Sequence, residues 1–230
     1  MNKLGLLGLV LVVVVTLGNL YWTSTQVKKE AGQAKQEVWV DSMGRVHTLG
    51  LTLDKTTLRE AELALKSLSD PALFLYPDKE KKDQYTLALE AYFPSIADHS
   101  KVVLGLYASK ELLLQIESRA TAPRLNKNGV GRMNISSIDN NLIQNLRVMW
   151  MKLIPSVQIR LEHVQARFGK PEQTITGPEG IYLLLYPKLG LHVLINNEGK
   201  DVLTFTLLKT FDETTTKIME EEKISLVVAK

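Results

Sequence analysis

Residues 4–22 form an apolar run without a charge, in which Asn19 is the only strongly polar side chain. At helical rise the run spans roughly 29 Å, close to the ~30 Å of a hydrocarbon core. Tyr21 and Trp22 stand where an interfacial aromatic belt would lie. The pattern predicts a transmembrane helix acting as an uncleaved anchor. A cleaved signal peptide would have a shorter apolar part, about 7–15 residues, and an A-x-A-like site. Thr16-Leu17-Gly18 is a poor version of that site. Residues 23–36 are polar and read as a tether.

Beyond the tether the period changes. Residues 37–42 alternate around Val38 and Val40, residues 45–49 alternate again, and the two predict a hairpin. Thr57 followed by Glu60 fits a capping box, and Leu58, Ala61, Leu65 and Leu68 recur at helical spacing up to Asp70-Pro71. Residues 72–76, 85–93 and 101–107 read as strands, with 112–116 as a possible continuation and the charged stretch 78–83 as a solvated hairpin tip. Residues 124–131 form a polar connector and 130–135 a short strand. Residues 137–146 suggest a helix with Ile138, Leu142, Ile143 and Leu146 on one side, and 147–154 a buried strand. A second helix is expected over 159–168, with Leu161, Val164 and Phe168 inward, Gly169 as a left-handed cap and Pro171 behind it. Strands at 181–186, 191–195 and 202–207 follow.

The order helix, proline, three strands thus occurs twice. Leu68-Ser69-Asp70-Pro71 corresponds to Phe168-Gly169-Lys170-Pro171, and Ala91-Tyr92-Phe93-Pro94 to Leu184-Leu185-Tyr186-Pro187. The fold class expected is α+β: an N-terminal transmembrane helix, then two tandem helix-plus-antiparallel-sheet (α-β-β-β) repeats, each helix on its own small sheet. The boundaries are anchor 1–22, tether 23–36, first repeat 37–123, and connector with second repeat 124–230.

The second half, with Phe168-Gly169-Lys170-Pro171, Tyr186-Pro187, Gly190-Leu191 and Gly199-Lys200-Asp201-Val202, resembles the small envelope domains of the SmpA/OmlA (BamE-like) class. The whole chain is similar to membrane-anchored envelope proteins of gammaproteobacteria. The resemblance implies a periplasmic, non-enzymatic domain that binds other envelope proteins. The chain departs from the class in lacking a lipidated cysteine and in carrying an apolar N-terminal run, so no contact residue is carried over.

Composition narrows the chemistry. The chain has no cysteine, which excludes disulfides, thiol catalysis and cysteine metal sites. A net charge of +3 does not suggest a nucleic-acid binder. His47, His99, His163 and His192 include no i, i+4 ligand pair. Asp98-His99-Ser100 is contiguous, whereas triad members converge from separate segments. Gly129-Val130-Gly131 is a fragment of a glycine-rich fingerprint, Arg124, Lys127 and Arg132 make the connector basic, and Asn134-Ile135-Ser136 fits a glycosylation pattern that is frequent by chance. No catalytic, cofactor-binding or metal residue is assigned, and no cofactor is expected. The expected function is a membrane-anchored periplasmic interaction module that recruits or positions an envelope protein; the alternative is binding of a small ligand, lipid or cell-wall fragment between the repeats. A hydrolase would require His163 or His192 to meet a carboxylate and a hydroxyl. The expected location is the bacterial inner membrane, single-pass, with the body in the periplasm. Lys28, Lys29 and Lys35 outnumber Lys3 and argue the other way.

Overall fold

The computed structural model describes residues 38–78 and 84–224. The expected anchor and tether, and residues 79–83 of the charged hairpin tip, lie outside the described residues. Among the described residues no helix is long and apolar enough to cross a membrane.

The first alternation yields β1 (Val38–Val40) and β2 (Val46–Thr48), paired antiparallel, and β3 (Leu51–Thr52) joins them. Helix α1 (Leu58–Leu65) starts at the expected capping box: Glu60 N–H donates to Thr57 Oγ1, and Thr57 N–H to Glu60 Oε2. It stops at Lys66, which is left-handed with φ 52°, before Asp70-Pro71 is reached. Leu68 therefore lies off the helix and is 80% exposed instead of inward.

β4 (Asp70–Pro77), β5 (Tyr85–Phe93) and β6 (Lys101–Leu106) form a meander. Residues 112–116 do not extend it. They belong to α2 (Lys110–Glu117), because the Ser109 hydroxyl caps the Leu112 N–H and starts a helix. β7 (Arg124–Leu125) and β8 (Gly131–Asn134) add an edge beside β4. In α3 (Ser137–Ile143) the inward residues are Asp139 and Ile143, while Ile138 is 76% exposed. Asp139 is buried because Arg119 and Ser136 both donate to it. β9 (Val148–Ile154), α4 (Leu161–Phe168), β10 (Gln173–Thr176), β11 (Ile181–Tyr186), β12 (Leu191–Asn196), β13 (Val202–Phe205) and α5 (Phe211–Glu221) complete the order.

The α+β expectation of two tandem α-β-β-β repeats, each helix on its own small sheet, is overturned; its transmembrane helix falls outside the described residues. The described body is mostly sheet: ten antiparallel strands in the order β10-β11-β12-β13-β9-β6-β5-β4-β8-β7, plus the small β1-β2-β3 sheet and five short helices. The halves do not keep separate sheets because β9 pairs with β6 on one edge and β13 on the other. Unjoined, each half would present an unpaired strand edge. The three strands on either side of the antiparallel β9–β13 pair correspond, β6-β5-β4 to β12-β11-β10, and β8-β7 extends the first side alone. An antiparallel central pair relates its flanks by a two-fold normal to the sheet, which leaves both α1 and α4 on one face. Leu58, Ala61, Leu65 and Val164 accordingly share one core with Leu73, Leu104, Met151 and Leu203. On the opposite face, Ile181, Leu183 and Leu194 pack against Phe211 and Ile218 of α5. At Gly105 the β6–β9 register shifts and the Trp150 indole lies over the glycine, 2.0 Å from where a Cβ would stand, so a side chain there would displace the ring.

Candidate functional site: a cleft beside α4

The inward stripe of α4 is less completely covered than its spacing predicts. Val164 is 1% exposed, but Leu161 is 37% exposed and Phe168 only half-buried. The helix begins at Arg160 without a side-chain cap. Its entry is held instead by Asp201 of the β12–β13 turn, which accepts from Ile159 N–H and, at 2.9 Å, from Asn196 N–H. Its exit is held by Tyr186, whose hydroxyl donates to the Gly169 carbonyl at 3.0 Å and whose ring meets Phe168 edge-on at 6.0 Å. Phe168 thus packs against the strand expected for it. Gly169 has the positive φ expected, 84°, but with ψ −172° it is extended and not a left-handed helical cap.

A cleft of about 280 Å³ opens beside α4. Leu153, Val164, Phe168 and Leu203 form the side toward the second half, and Ile96 and Leu49 the side toward the first. Asp98, Ser100, Ser156, His163 and Arg167 supply its polar groups. His163 and Arg167 are one helical turn apart, so they share a side of α4. Partial desolvation lowers the pKa of the exposed Arg167, and its guanidinium lies 5.1 Å from the Phe168 ring centroid. Asp98 accepts from Ser100 N–H, and the Ser156 hydroxyl donates to the Asp98 carbonyl. The cleft thus gathers His163, a carboxylate and two hydroxyls in its lining, yet the Asp98 carboxylate accepts from Ser100 N–H and the Ser156 hydroxyl donates to a main-chain carbonyl. Among the described residues no donor–acceptor chain runs through His163.

The remaining histidines fall elsewhere. His192 is 1% exposed on β12 beneath α5. His99 has φ 63° in the β5–β6 loop. His47 occupies a network that sequence reasoning missed: Nε2 lies 3.1 Å from Asp41 Oδ2, Nδ1 lies 2.9 Å from Thr52 Oγ1, and Trp39 stacks on the ring at 3.7 Å. The main-chain N–H of Arg45, with help from the His47 and Arg45 side chains, holds the Asp41 carboxyl well below the usual carboxylate range. Carboxylate, imidazole and hydroxyl stand in line, but the cleft beside α4 does not touch them. What the network does is tie β1, β2 and β3 together. Sequence spacing carried no signal for it, since the three residues meet only through strand pairing.

Gly129 has φ 77° in the turn between β7 and β8. Arg132 of the basic connector is paired with Asp70 at 2.8 Å. Ser136 serves α3 through Asp139. Among the described residues no three His, Asp or Glu side chains are placed to hold a metal ion. Comparison with protein-family models, curated proteins and solved structures finds no match to the chain.

Proposed function

We propose that this chain is a non-enzymatic binding protein that holds a small amphiphile in the cleft beside α4. The observation that carries the reading is the cleft: an apolar wall of Ile96, Leu153, Val164 and Leu203 with His163 and Arg167 on one side of it. Binding sites for small molecules are mostly apolar, with a few polar groups that fix orientation. About 280 Å³ lies near the lower end of the usual range, so the ligand is small. Arg167 matches an anionic head, while an aliphatic tail fits the wall. Octanoate is the probe. It should raise the melting temperature of the full chain in detergent, Arg167→Gln should weaken it about tenfold, and Val164→Trp should block it. Absence of any thermal shift with the parent protein would sink the reading.

A second reading, recruitment of an envelope protein, is favoured by Ile138 and Leu142, exposed apolar residues one turn apart on α3. Ile138→Lys with Leu142→Lys should then remove whatever co-purifies with the full-length chain.

The apolar run at residues 4–22 supports holding at the bacterial inner membrane with the body in the periplasm. Alkaline phosphatase fused after Lys230 should be active there, and inactivity would place the body in the cytoplasm.

A further inference from the structure

The loop from β9 into α4 leaves apolar side chains in water at the rim of an apolar cleft. Val157 lines the cleft and is 73% exposed, and Leu161, which heads the inward stripe of α4, is 37% exposed. Ile159 between them is half-buried. Basic side chains border this rim. Arg160 at the start of α4 and Arg167 are two helical turns apart, so they share a side of the helix with His163. Both guanidinium groups belong to exposed residues. Helical spacing turns Glu162 about 200° away from Arg160, to the far side of the helix. Asp98 is the carboxylate of the cleft lining, and it accepts from Ser100 N–H. Exposed apolar side chains flanked by arginines are the composition of a surface that lies in a headgroup layer.

The path of the chain points the same way. Val38, the first described residue, pairs with Thr48, and the residue after Thr48 is Leu49, which lines the cleft together with Val157 and Ile159. The chain therefore enters β1 at the rim. Residues 23–37 separate Val38 from the apolar run 4–22. A coil of that length averages roughly 20 Å end to end, about half the ~40 Å breadth of a domain this size. With residues 4–22 in a bilayer, so short a tether keeps the entry side of the domain near the lipid, and Val157 with it.

We propose that the rim of the cleft beside α4 docks on an anionic phospholipid bilayer, with Val157 and Leu161 entering the headgroup layer and Arg160 and Arg167 meeting its phosphates. The inference rests on the reading that residues 4–22 hold the chain in a membrane, and not on octanoate binding. Docked in this way, the cleft opens on the lipid from which an amphiphile would come.

The chain has no cysteine, so nitroxide labels on Val157→Cys, Leu161→Cys, Ile138→Cys and Val13→Cys each report a single site. The full chain is reconstituted in vesicles of phosphatidylcholine and phosphatidylglycerol. Labels at Val157 and Leu161 should be relaxed by oxygen dissolved in the lipid and shielded from a nickel chelate in the water. The label at Ile138, on α3, should show the reverse. Omitting phosphatidylglycerol, or Arg160→Gln with Arg167→Gln, should lower the docked-to-free ratio about thirtyfold, the effect of two charges near an anionic surface. The Val13 label separates two failures. If it lies in lipid while Val157 is as open to nickel as Ile138, the anchor stands, the proposal is overturned and the rim is left to a protein partner. If Val13 is itself open to nickel, the anchor reading fails and the docked rim fails with it. Docking that ignores lipid charge would also overturn the proposal, since the arginines would then have no part in it.

Discussion

α1 and α4 carry the same inward spacing, i, i+3 and i+7: Leu58, Ala61 and Leu65 in one, Leu161, Val164 and Phe168 in the other. They lie over the same face of one sheet, on either side of its centre. Yet α1 buries all three positions and α4 fully buries only Val164. They differ in the middle residue of the stripe, Ala61 against Val164, and in how the helix start is tied. The start of α1 is fastened to the sheet side of the molecule: Leu58 N–H donates to the Leu146 carbonyl, Arg59 N–H to Gln144, and Asp54 and Thr56 exchange bonds with Val148. At the start of α4 the corresponding tie is the Asp201 carboxylate on Ile159 N–H. An identical stripe therefore gives a sealed helix on one side and a cleft on the other. A helix's sequence sets which face turns inward; its anchoring sets how far inward it goes.

The widest separation should appear on truncating equivalent positions. Leu58→Ala removes a side chain with no exposed surface in a filled core, so it should cost about 3–5 kcal/mol. Phe168→Ala should cost less, about 2 kcal/mol. The ring is half-buried and borders the cleft, so part of the space it vacates is already open. Chemical denaturation of both variants measures the difference. Equal losses would mean that α4 is packed as tightly as α1 and that the cleft closes in solution.

Anchoring is tested next, by Thr57→Ala. The hydroxyl caps Glu60 N–H, and losing such a cap costs about 1 kcal/mol. Arg160→Ala at the equivalent position of α4 removes no capping bond and should leave the unfolding free energy within about half a kcal/mol of the parent. A loss at Arg160 as large as that at Thr57 would show that the two helix starts are alike after all.

How much of this contrast was legible beforehand follows from the range of the interactions. The capping box, the hairpins and the inward stripes are local, and period and turn chemistry reveal them. The symmetric pairing around β9 is not local: Val148–Ile154 reads as a buried strand, but nothing within those residues says that β6 and β13 are its two neighbours. Expecting three strands per unit also left out β10, whose Gln-Thr-Ile-Thr carries a single buried apolar residue. α5 went unread because its stripe is sparse, with Phe211 and Ile218 the buried positions. The cleft was invisible for a further reason. It lies beside a helix whose pattern matches that of the sealed one, and His163 lines it only through the packing of that helix. The Asp41–His47–Thr52 line is likewise a product of strand register.

The smallest expected effect comes from acid and reaches α1 alone. Glu60 accepts from Thr57 N–H at 2.8 Å and from the Thr57 hydroxyl at 3.0 Å. These bonds, led by the main-chain one, lower the pKa of its carboxyl below the ordinary glutamate value. A folded pKa lowered in this way means that the unfolded chain takes up the proton first as pH falls. The contribution to stability is thus complete above the unfolded pKa, about 4.3, and is lost as pH drops through the folded value. No side chain caps the first turn of α4, and Asp201 accepts from Ile159 N–H ahead of the helix, so the first-turn amides of α4 lose no carboxylate partner on protonation. Hydrogen-exchange protection, corrected for intrinsic rates, should fall in the first turn of α1 from about pH 5 downward while α4 keeps its own. Glu60→Gln sharpens the comparison. A glutamine can still accept from Thr57 N–H, so the variant should keep α1 protected while removing its acid response. If α1 and α4 lose protection in parallel, or if the glutamine variant remains acid-sensitive, then the capping carboxylate is not what distinguishes the two helix starts.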